Sequence, residues 1–403
     1  MQFDEKSDAA ENHFIRNSES MLSGIFGTTE VTPFWVADMD FKVAEPILNE
    51  LQRLVDRGKF AYEFNSKDVF NAISKWNKRR HDLNLYPDNF VQVTGVLTGI
   101  ALAIRALTEE GDGVLIQTPA YHQFNKVIST AKRRVVKSAL SLVDGKYEMD
   151  LQDLEQKMGE PSTKVLLLCN PHNPVGRVWR QEELVKVIKL ASKYGVTIIS
   201  DEIHSDIVYQ GHRFSSLMSL EPQKYISVIG SPSKTFGMQS ISNGYLYTED
   251  KTLLEKLKSL AESLYLDHGN AFTTFATITA FEHGEEWFDE FLVYMQGTVS
   301  WINDFVGEAL PNVRVFPVEG TYQAWLDFTD TGLSGDELIK LFGKAGFGAS
   351  PGTWFDSEAK QYARISFACP RVDIQEAFQR LEKVLAFNTS SIVGNEPTLM
   401  DKK

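Results

Sequence analysis

The chain has 403 residues, 43% hydrophobic and 24% charged, the profile of a soluble globular protein long enough for two domains. A formal net charge of −13 disfavours a nucleic-acid backbone as partner, and no apolar run reaches the length that spans a membrane. The two cysteines, Cys169 and Cys369, lie in apolar stretches, which argues against a disulfide framework and fits a reducing cytoplasm.

The N-terminal MQFDEKSDAAENH is acidic and polar, without the basic-then-apolar order of a signal peptide, so the expected location is the cytoplasm. The remainder of the first 50 residues reads as loop-rich. VTGVLTGIALAIRAL (93–107) offers a glycine at 95 and then an apolar-periodic helix. VLIQTP (114–119), VLLLCNP (165–171), VTIISDE (196–202) and YISVIGS (225–231) are short, nearly continuous apolar runs, as suits strands buried on both faces of a parallel sheet. Between the second and third, Leu184, Val187, Ile188 and Ala191 repeat at helical spacing before Gly195, a helix cap. This strand–helix–strand unit predicts an α/β fold with a large, doubly wound, mostly parallel sheet domain over 51–285. Residues 313–328 then read as two strands around a turn at Glu319-Gly320, 334–346 as a helix, 363–368 as a strand and 374–387 as a final helix. They predict a smaller α+β domain from 1–50 and 286–390. Residues 391–403 lose apolar periodicity and read as a disordered tail.

Ligands of parallel α/β sheets bind beyond the carboxyl ends of the strands. Three of the runs end there in NPHNPVG (170–176), DEIHSD (201–206) and SPSKTF (231–236). If those strands are neighbours, Asn173, Asp201, His204 and Lys234 meet in one crevice. Each has an ordinary reading too: a turn for NPHNPVG, a helix cap for Asp201, a core histidine for His204, an exposed amine for Lys234. Their coincidence matches what pyridoxal 5′-phosphate (PLP) requires. A lysine screened from water supplies the amine for a Schiff base. A carboxylate such as Asp201 keeps the pyridine nitrogen protonated. Asn173 and His204 suit the ring hydroxyl. A helix N-terminus after Gly95, with the hydroxyls of Ser231 and Ser233, suits the phosphate. No metal-binding motif competes with this reading: the eight histidines form no HExxH or Cys/His cluster.

From about residue 33 to 387 the chain resembles the fold type I PLP enzymes of aminotransferase class I/II, specifically the MalY/PatB-type cystathionine β-lyases (C–S lyases). The resemblance rests on WVADMDF (35–41), NPHNPVG, SDEIHSD (200–206), EGTYQAWLDF (319–328) and RISFACPR (364–371). It implies that Lys234 is the Schiff-base lysine and catalytic base, and that Asp201 partners the pyridine nitrogen. Asn173 and His204 lie beside the ring hydroxyl, and Tyr121 stacks on the ring as a third catalytic residue. Gly95, Val96 and Leu97 cradle the phosphate by their backbone. Tyr62 reaches the phosphate of a neighbouring subunit, which makes the active unit a homodimer. Arg364 grips the carboxylate of a small amino-acid substrate, a task suited to a planar guanidinium, and Ala37 adds a backbone contact to it.

The implied activity is β-elimination of sulfur amino acids such as L-cystathionine to homocysteine, pyruvate and ammonia. The alternatives are a PLP-dependent aminotransferase and, further off, a non-catalytic regulatory binding protein. The chain departs from the family pattern at Gly237, where an asparagine is usual, and in the stretch after it, about two residues shorter. Ala61 replaces the glycine before Tyr62, and the N-terminal segment lacks a lysine–tryptophan pair. These departures bear on substrate range more than on cofactor binding.

Overall fold

The computed structural model describes residues 3–5, 13–63, 66–221, 223–241, 243–266 and 268–393. A seven-stranded sheet is built from β1 (Phe90–Val93), β2 (Gly113–Thr118), β3 (Arg134–Ala139), β4 (Thr163–Cys169), β5 (Thr197–Asp201), β6 (Ile226–Gly230) and β7 (Gly244–Tyr247). Its order is β1-β7-β6-β5-β4-β2-β3, and only β7 runs antiparallel to its neighbours. The four apolar runs are therefore strands of one sheet, and three of them, β4, β5 and β6, are adjacent. Strands β1, β3 and β7 were not expected from sequence. Two of them have four residues, and edge strand β3 alternates exposed and buried positions.

Helix α1 (Ser66–His81) precedes the sheet, and α2 (Val96–Leu107) follows β1 directly with Gly95 at its N-cap. Next come α3 (His122–Thr130) and α4 (Gln181–Tyr194). Helix α4 ends as expected on Gly195, whose φ of 69° is left-handed. A single helical turn, α5 (Ser233–Phe236), carries Lys234, and the long α6 (Glu285–Ala309) leads to the C-terminal part.

There a four-stranded sheet of order β8-β9-β11-β10 forms from β8 (Arg314–Val315), β9 (Gln323–Asp327), β10 (Ser350–Pro351) and β11 (Tyr362–Ser366). Helix α7 (Gly335–Ala345), opened by a capping box between Ser334 and Glu337, and α8 (Arg371–Val393) complete it. The N-terminal segment is less loop-rich than expected. It holds helices at Glu19–Phe26 and Glu45–Arg57, and Thr32–Pro33 pairs with Phe347–Gly348. The last helix is longer than the expected 374–387. It begins at Arg371, held by Tyr294 and Thr298 of α6, and continues to Val393, so residues 391–393 are helical. Extending a formed helix needs only one bond per residue, so it continues past 387 without apolar periodicity in the sequence. The remainder of the proposed tail, 394–403, lies outside the described residues.

Two turns tie the sheets together. Gly176 of NPHNPVG lies under Val318, Glu319 and Gly320, its carbonyl accepting from the amides of Glu319 (2.9 Å) and Gly320 (3.0 Å). Beside it, buried Arg177 bridges Glu319 (2.9 Å) and Glu183 (3.1 Å). A buried ion pair is weak evidence for net stability, but removing one partner strands the other charge. It therefore acts as a register pin between the β4 turn and the β8–β9 turn.

Candidate active site

Parallel register sets the strand ends level: Cys169 pairs with Asp201, and Asp201 with Ile229. The segments that follow enclose a cavity of about 270 Å³. Asn173, Asp201, His204, Ser231, Ser233 and Lys234 line it, together with Ala37, Gly95, Val96, Leu97 and Tyr121. Every site residue singled out from sequence is in that wall except Arg364 and Tyr62. Arg364 reaches it through Asn173, Nη1 donating to Oδ1 at 3.4 Å. Tyr62 does not line this chain's cavity and is fully solvent-exposed.

Lys234 projects from α5 into the cavity. Its amine donates to the Ala37 carbonyl, which also accepts from the Tyr322 hydroxyl at 3.1 Å. Burial lowers its pKa to about 8, with Asp38 pulling upward, Arg364 downward and Asp201 upward. Phe236, two residues on, anchors the turn against Trp76, Phe281 and Phe288. Asp201 is buried at the end of β5, and its carboxylate accepts one hydrogen bond among the described residues, from the Ile203 amide at 3.1 Å. Burial raises its pKa to about 7, against the pull of that amide and of Lys234. The carboxylate has no cation to pair with at contact distance among the described residues.

Arg364 is 2% exposed on β11. It donates to the Trp35 carbonyl (2.7 Å), Ser350 (3.2 Å) and Asn173, while its Nε has no partner among the described residues. Burial lowers its pKa to about 10, and no described carboxylate lies within salt-bridge distance. His204 is buried edge-on to Tyr322, its Nδ1 likewise unpartnered among the described residues. Burial, then Lys234 and Arg364, hold it well below the usual histidine range, so it is neutral at pH 7.

A buried amine, a carboxylate lacking a cation, a guanidinium lacking an anion and an unpaired imidazole nitrogen are costly unless something else completes them. An electron-poor ring with an aldehyde, a protonated nitrogen and a hydroxyl would complete three of them, and a substrate carboxylate the fourth. The phosphate end is available at the N-terminus of α2, where β7 passes closely enough that a Cβ on Gly244 would stand 2.7 Å from the Gly95 carbonyl carbon. The residues fit PLP.

Two expectations are refined. The Ser231 hydroxyl donates to the Asn243 carbonyl at 2.8 Å and accepts from the Ser233 amide at 3.2 Å, so its bonds lie within the protein. Ala37 spends its carbonyl on Lys234 and Tyr322, which leaves only its amide for a carboxylate. His172, one mark of the family in NPHNPVG, is outside the cavity wall. Its ring bonds the Pro119 carbonyl at 2.9 Å, tying the turn after β4 to the segment carrying Tyr121. Thr94, Thr98, Cys169, Ile203 and Gln239 also line the cavity, beyond the residues expected from sequence. Thr94 and Thr98 flank the predicted helix start and were within reach of that reading. Gln239 lies in the stretch where the chain departs from the family pattern and carried no signal. Gly237 keeps a left-handed φ of 70°, a conformation asparagine also tolerates, so the exchange preserves the turn.

A family model for aminotransferase class I and II matches residues 40–381. Cystathionine beta-lyase PatB of Bacillus subtilis (strain 168) is 32% identical over 389 residues, 96% of this chain and 100% of that protein. A PLP-bound C-S lyase from Staphylococcus hominis has the same fold at a TM-score of 0.87 and 27% identity, over 96% of this chain and 98% of its own. A PLP-bound protein of Clostridium difficile 630, described as an aminotransferase, matches at 0.91 and 33% identity, over 95% and 99%.

Proposed function

The chain belongs to the aminotransferase class I and II family, and on that premise we propose that it is a PLP-dependent carbon–sulfur lyase of fold type I. Its reaction is β-elimination of sulfur amino acids such as L-cystathionine, yielding homocysteine, pyruvate and ammonia. The observation that carries this reading is a cavity holding the Lys234 amine, with a buried guanidinium that has no carboxylate partner among the described residues bonded to its Asn173 wall, in a chain aligned over 96% of its length with a cystathionine beta-lyase.

Lys234, Asp201, Asn173, His204, Tyr121, Ser233 and the Gly95–Val96–Leu97 backbone would hold the cofactor, with Ser231 bracing Ser233. When bound, PLP supplies an aldehyde that captures amines and an electron-poor ring that accepts the electron pair left at the substrate Cα. Asp201 holds a proton at the ring nitrogen, and Tyr121 offers its ring as a stacking surface. Arg364 grips the substrate α-carboxylate and so orients the Cα–H bond toward Lys234. The Lys234 amine, eased toward neutrality by burial, takes the Cα proton as general base. The β-sulfur then departs and takes up a proton as a thiol, a good leaving group with a pKa of ~8.5, and water hydrolyses the released three-carbon enamine to pyruvate and ammonia.

Purified protein with PLP and L-cystathionine should release pyruvate without any added 2-oxo acid. Lys234→Ala should lose that release together with the visible absorbance of bound cofactor. Activity that stays silent until a 2-oxo acid is supplied would instead establish the second reading, an aminotransferase, which the Clostridium difficile neighbour favours.

The proposal extends to a cytoplasmic homodimer. Full exposure of Tyr62, beside the exposed Phe60 stacked on Phe272 at 5.7 Å, supports an intersubunit role in completing the neighbouring site. Two unpaired cysteines support a reducing compartment, and no described helix is long and apolar enough to cross a membrane. Separate sheets before and after α6 support a large unit over 51–285 and a small one from 1–50 and 286–390.

A further inference from the structure

The motif SDEIHSD closes on Asp206, a residue that the chemistry above does not use. Its side chain is 6% exposed and accepts three side-chain hydrogen bonds. Oδ1 accepts from Trp76 Nε1 at 2.9 Å and from the His81 ring at 2.7 Å, both on α1. Oδ2 accepts from the Thr235 hydroxyl at 2.7 Å. Thr235 follows Lys234 directly in α5.

A four-residue turn is far below the length at which a helix persists by its own bonds. The geometry of Lys234 therefore depends on what holds α5 from outside. On its N-terminal side the Ser233 amide is tied to Ser231, and on its C-terminal side Phe236 is packed among Trp76, Phe281 and Phe288. Thr235 bonds the turn to the segment that also bears Asp201 and His204. We infer that Asp206 is a positioning residue for the reaction. Through Thr235 it fixes the lysine-bearing turn against the 201–206 segment, so that Lys234 and Asp201 keep their spacing across one cofactor. Asp206 does not touch the reacting atoms. It acts on them through the turn, in the same way that small misplacements of a catalytic group cost up to about 100-fold in rate.

Burial opposes the charge on Asp206, yet its bonds to His81, Thr235 and Trp76 outweigh burial and hold its carboxyl below the usual range. It thus remains an ionised, fully bonded anchor rather than a titrating group near neutrality. The same carboxylate reaches α1, which follows Tyr62 in the chain, so one anchor serves both the lysine turn and the helix behind the proposed intersubunit residue.

The inference rests on the lyase reading for its effect on turnover but not for its effect on the lysine. Thr235→Val removes the tether and keeps the side-chain shape, Thr235→Ser retains the hydroxyl, and Asp206→Asn removes the charge. Two quantities are measured: turnover per bound cofactor with L-cystathionine, and the rate at which trinitrobenzenesulfonate labels Lys234 in cofactor-stripped protein, read by peptide mass. Thr235→Val and Asp206→Asn should lower kcat by about 10-fold or more with KM within about 3-fold. They should raise the labelling rate several-fold, and Thr235→Ser should restore both. If labelling of Lys234 in Thr235→Val stays within twofold of the unaltered protein, the inference is overturned, whatever happens to turnover or melting temperature. Altered labelling with unchanged turnover per cofactor also overturns it. Failure of the lyase reading would show separately, as absent pyruvate release by the unaltered protein, and the labelling experiment would still report on the lysine.

Discussion

Burial governs protonation around the cavity, and it moves the acid and the base in opposite directions. With Lys234 lowered to about 8, about one amine in ten is neutral at pH 7, against roughly one in two thousand for an exposed lysine. The same desolvation lifts Asp201 to about 7, a cost that pairing with a protonated ring nitrogen would remove under the proposed function. His172 shows how this bears on stability. It is 2% exposed, and burial lowers its pKa from 6.5 to about 4. Between those values the unfolded chain binds a proton that the folded chain refuses. Its contribution is therefore present above pH 6.5 and is lost as pH falls toward 4. The buried carboxyls Asp201 and Glu202, both raised to about 7, act with the opposite sign, so only a difference measurement isolates the histidine. In urea unfolding at stepped pH, His172→Gln should lose less stability than the unaltered protein between pH 6.5 and 4. The difference should approach about one proton in slope and roughly 3 kcal/mol in total. Parallel curves would refute the assignment.

At the level of elements, the end of the cavity proposed to take the phosphate depends on how closely β7 passes the start of α2. A Cβ on Gly244 would meet the Gly95 carbonyl carbon at 2.7 Å and the Val96 amide nitrogen at 3.0 Å. Both are backbone atoms, so neither can rotate away. Gly244→Ala must part the strand from the helix start, at a cost of about 1–3 kcal/mol typical of overpacking. The expected result is at least a 10-fold weaker affinity for PLP, measured by titration of stripped protein, with secondary structure retained. Unchanged affinity would mean that the Gly95–Val96–Leu97 backbone is not the cradle.

At the scale of the whole molecule, Lys234 lies on α5 beyond β6 of the large sheet and Arg364 on β11 of the small one, and the docked turns at Gly176 and Glu319 tie those sheets together. Completion by a second copy is the remaining requirement of the proposal. Tyr62→Ala and Lys234→Ala should each be inactive. If Tyr62 serves the neighbouring subunit, unfolding and refolding an equal mixture should restore activity to about a quarter of the unaltered level, because half the dimers are hybrids with one intact site of two. A mixture as silent as its parents would show that Tyr62 acts within its own chain, and an active Tyr62→Ala parent that it does not act at all.

Much of this was legible in the amino-acid sequence because it is written in local chemistry. Continuous apolar runs marked the four central strands, and residues of unusual type at their ends marked Asn173, Asp201, His204 and Lys234. The three short or edge strands escaped, since four residues carry too little periodicity and an edge is only half-buried. What the tertiary structure alone decided is how the charges are completed. Sequence placed Asp206 in a motif, but only the fold brought it to Thr235, Trp76 and His81. It named Arg364 as an anion grip, but only the fold showed a guanidinium surrounded by carbonyls and hydroxyls with no carboxylate among the described residues. Strand composition is set by nearest neighbours along the chain, whereas burial and pairing are set by residues scores or hundreds of positions away. The protonation of Lys234 is a property of that second kind.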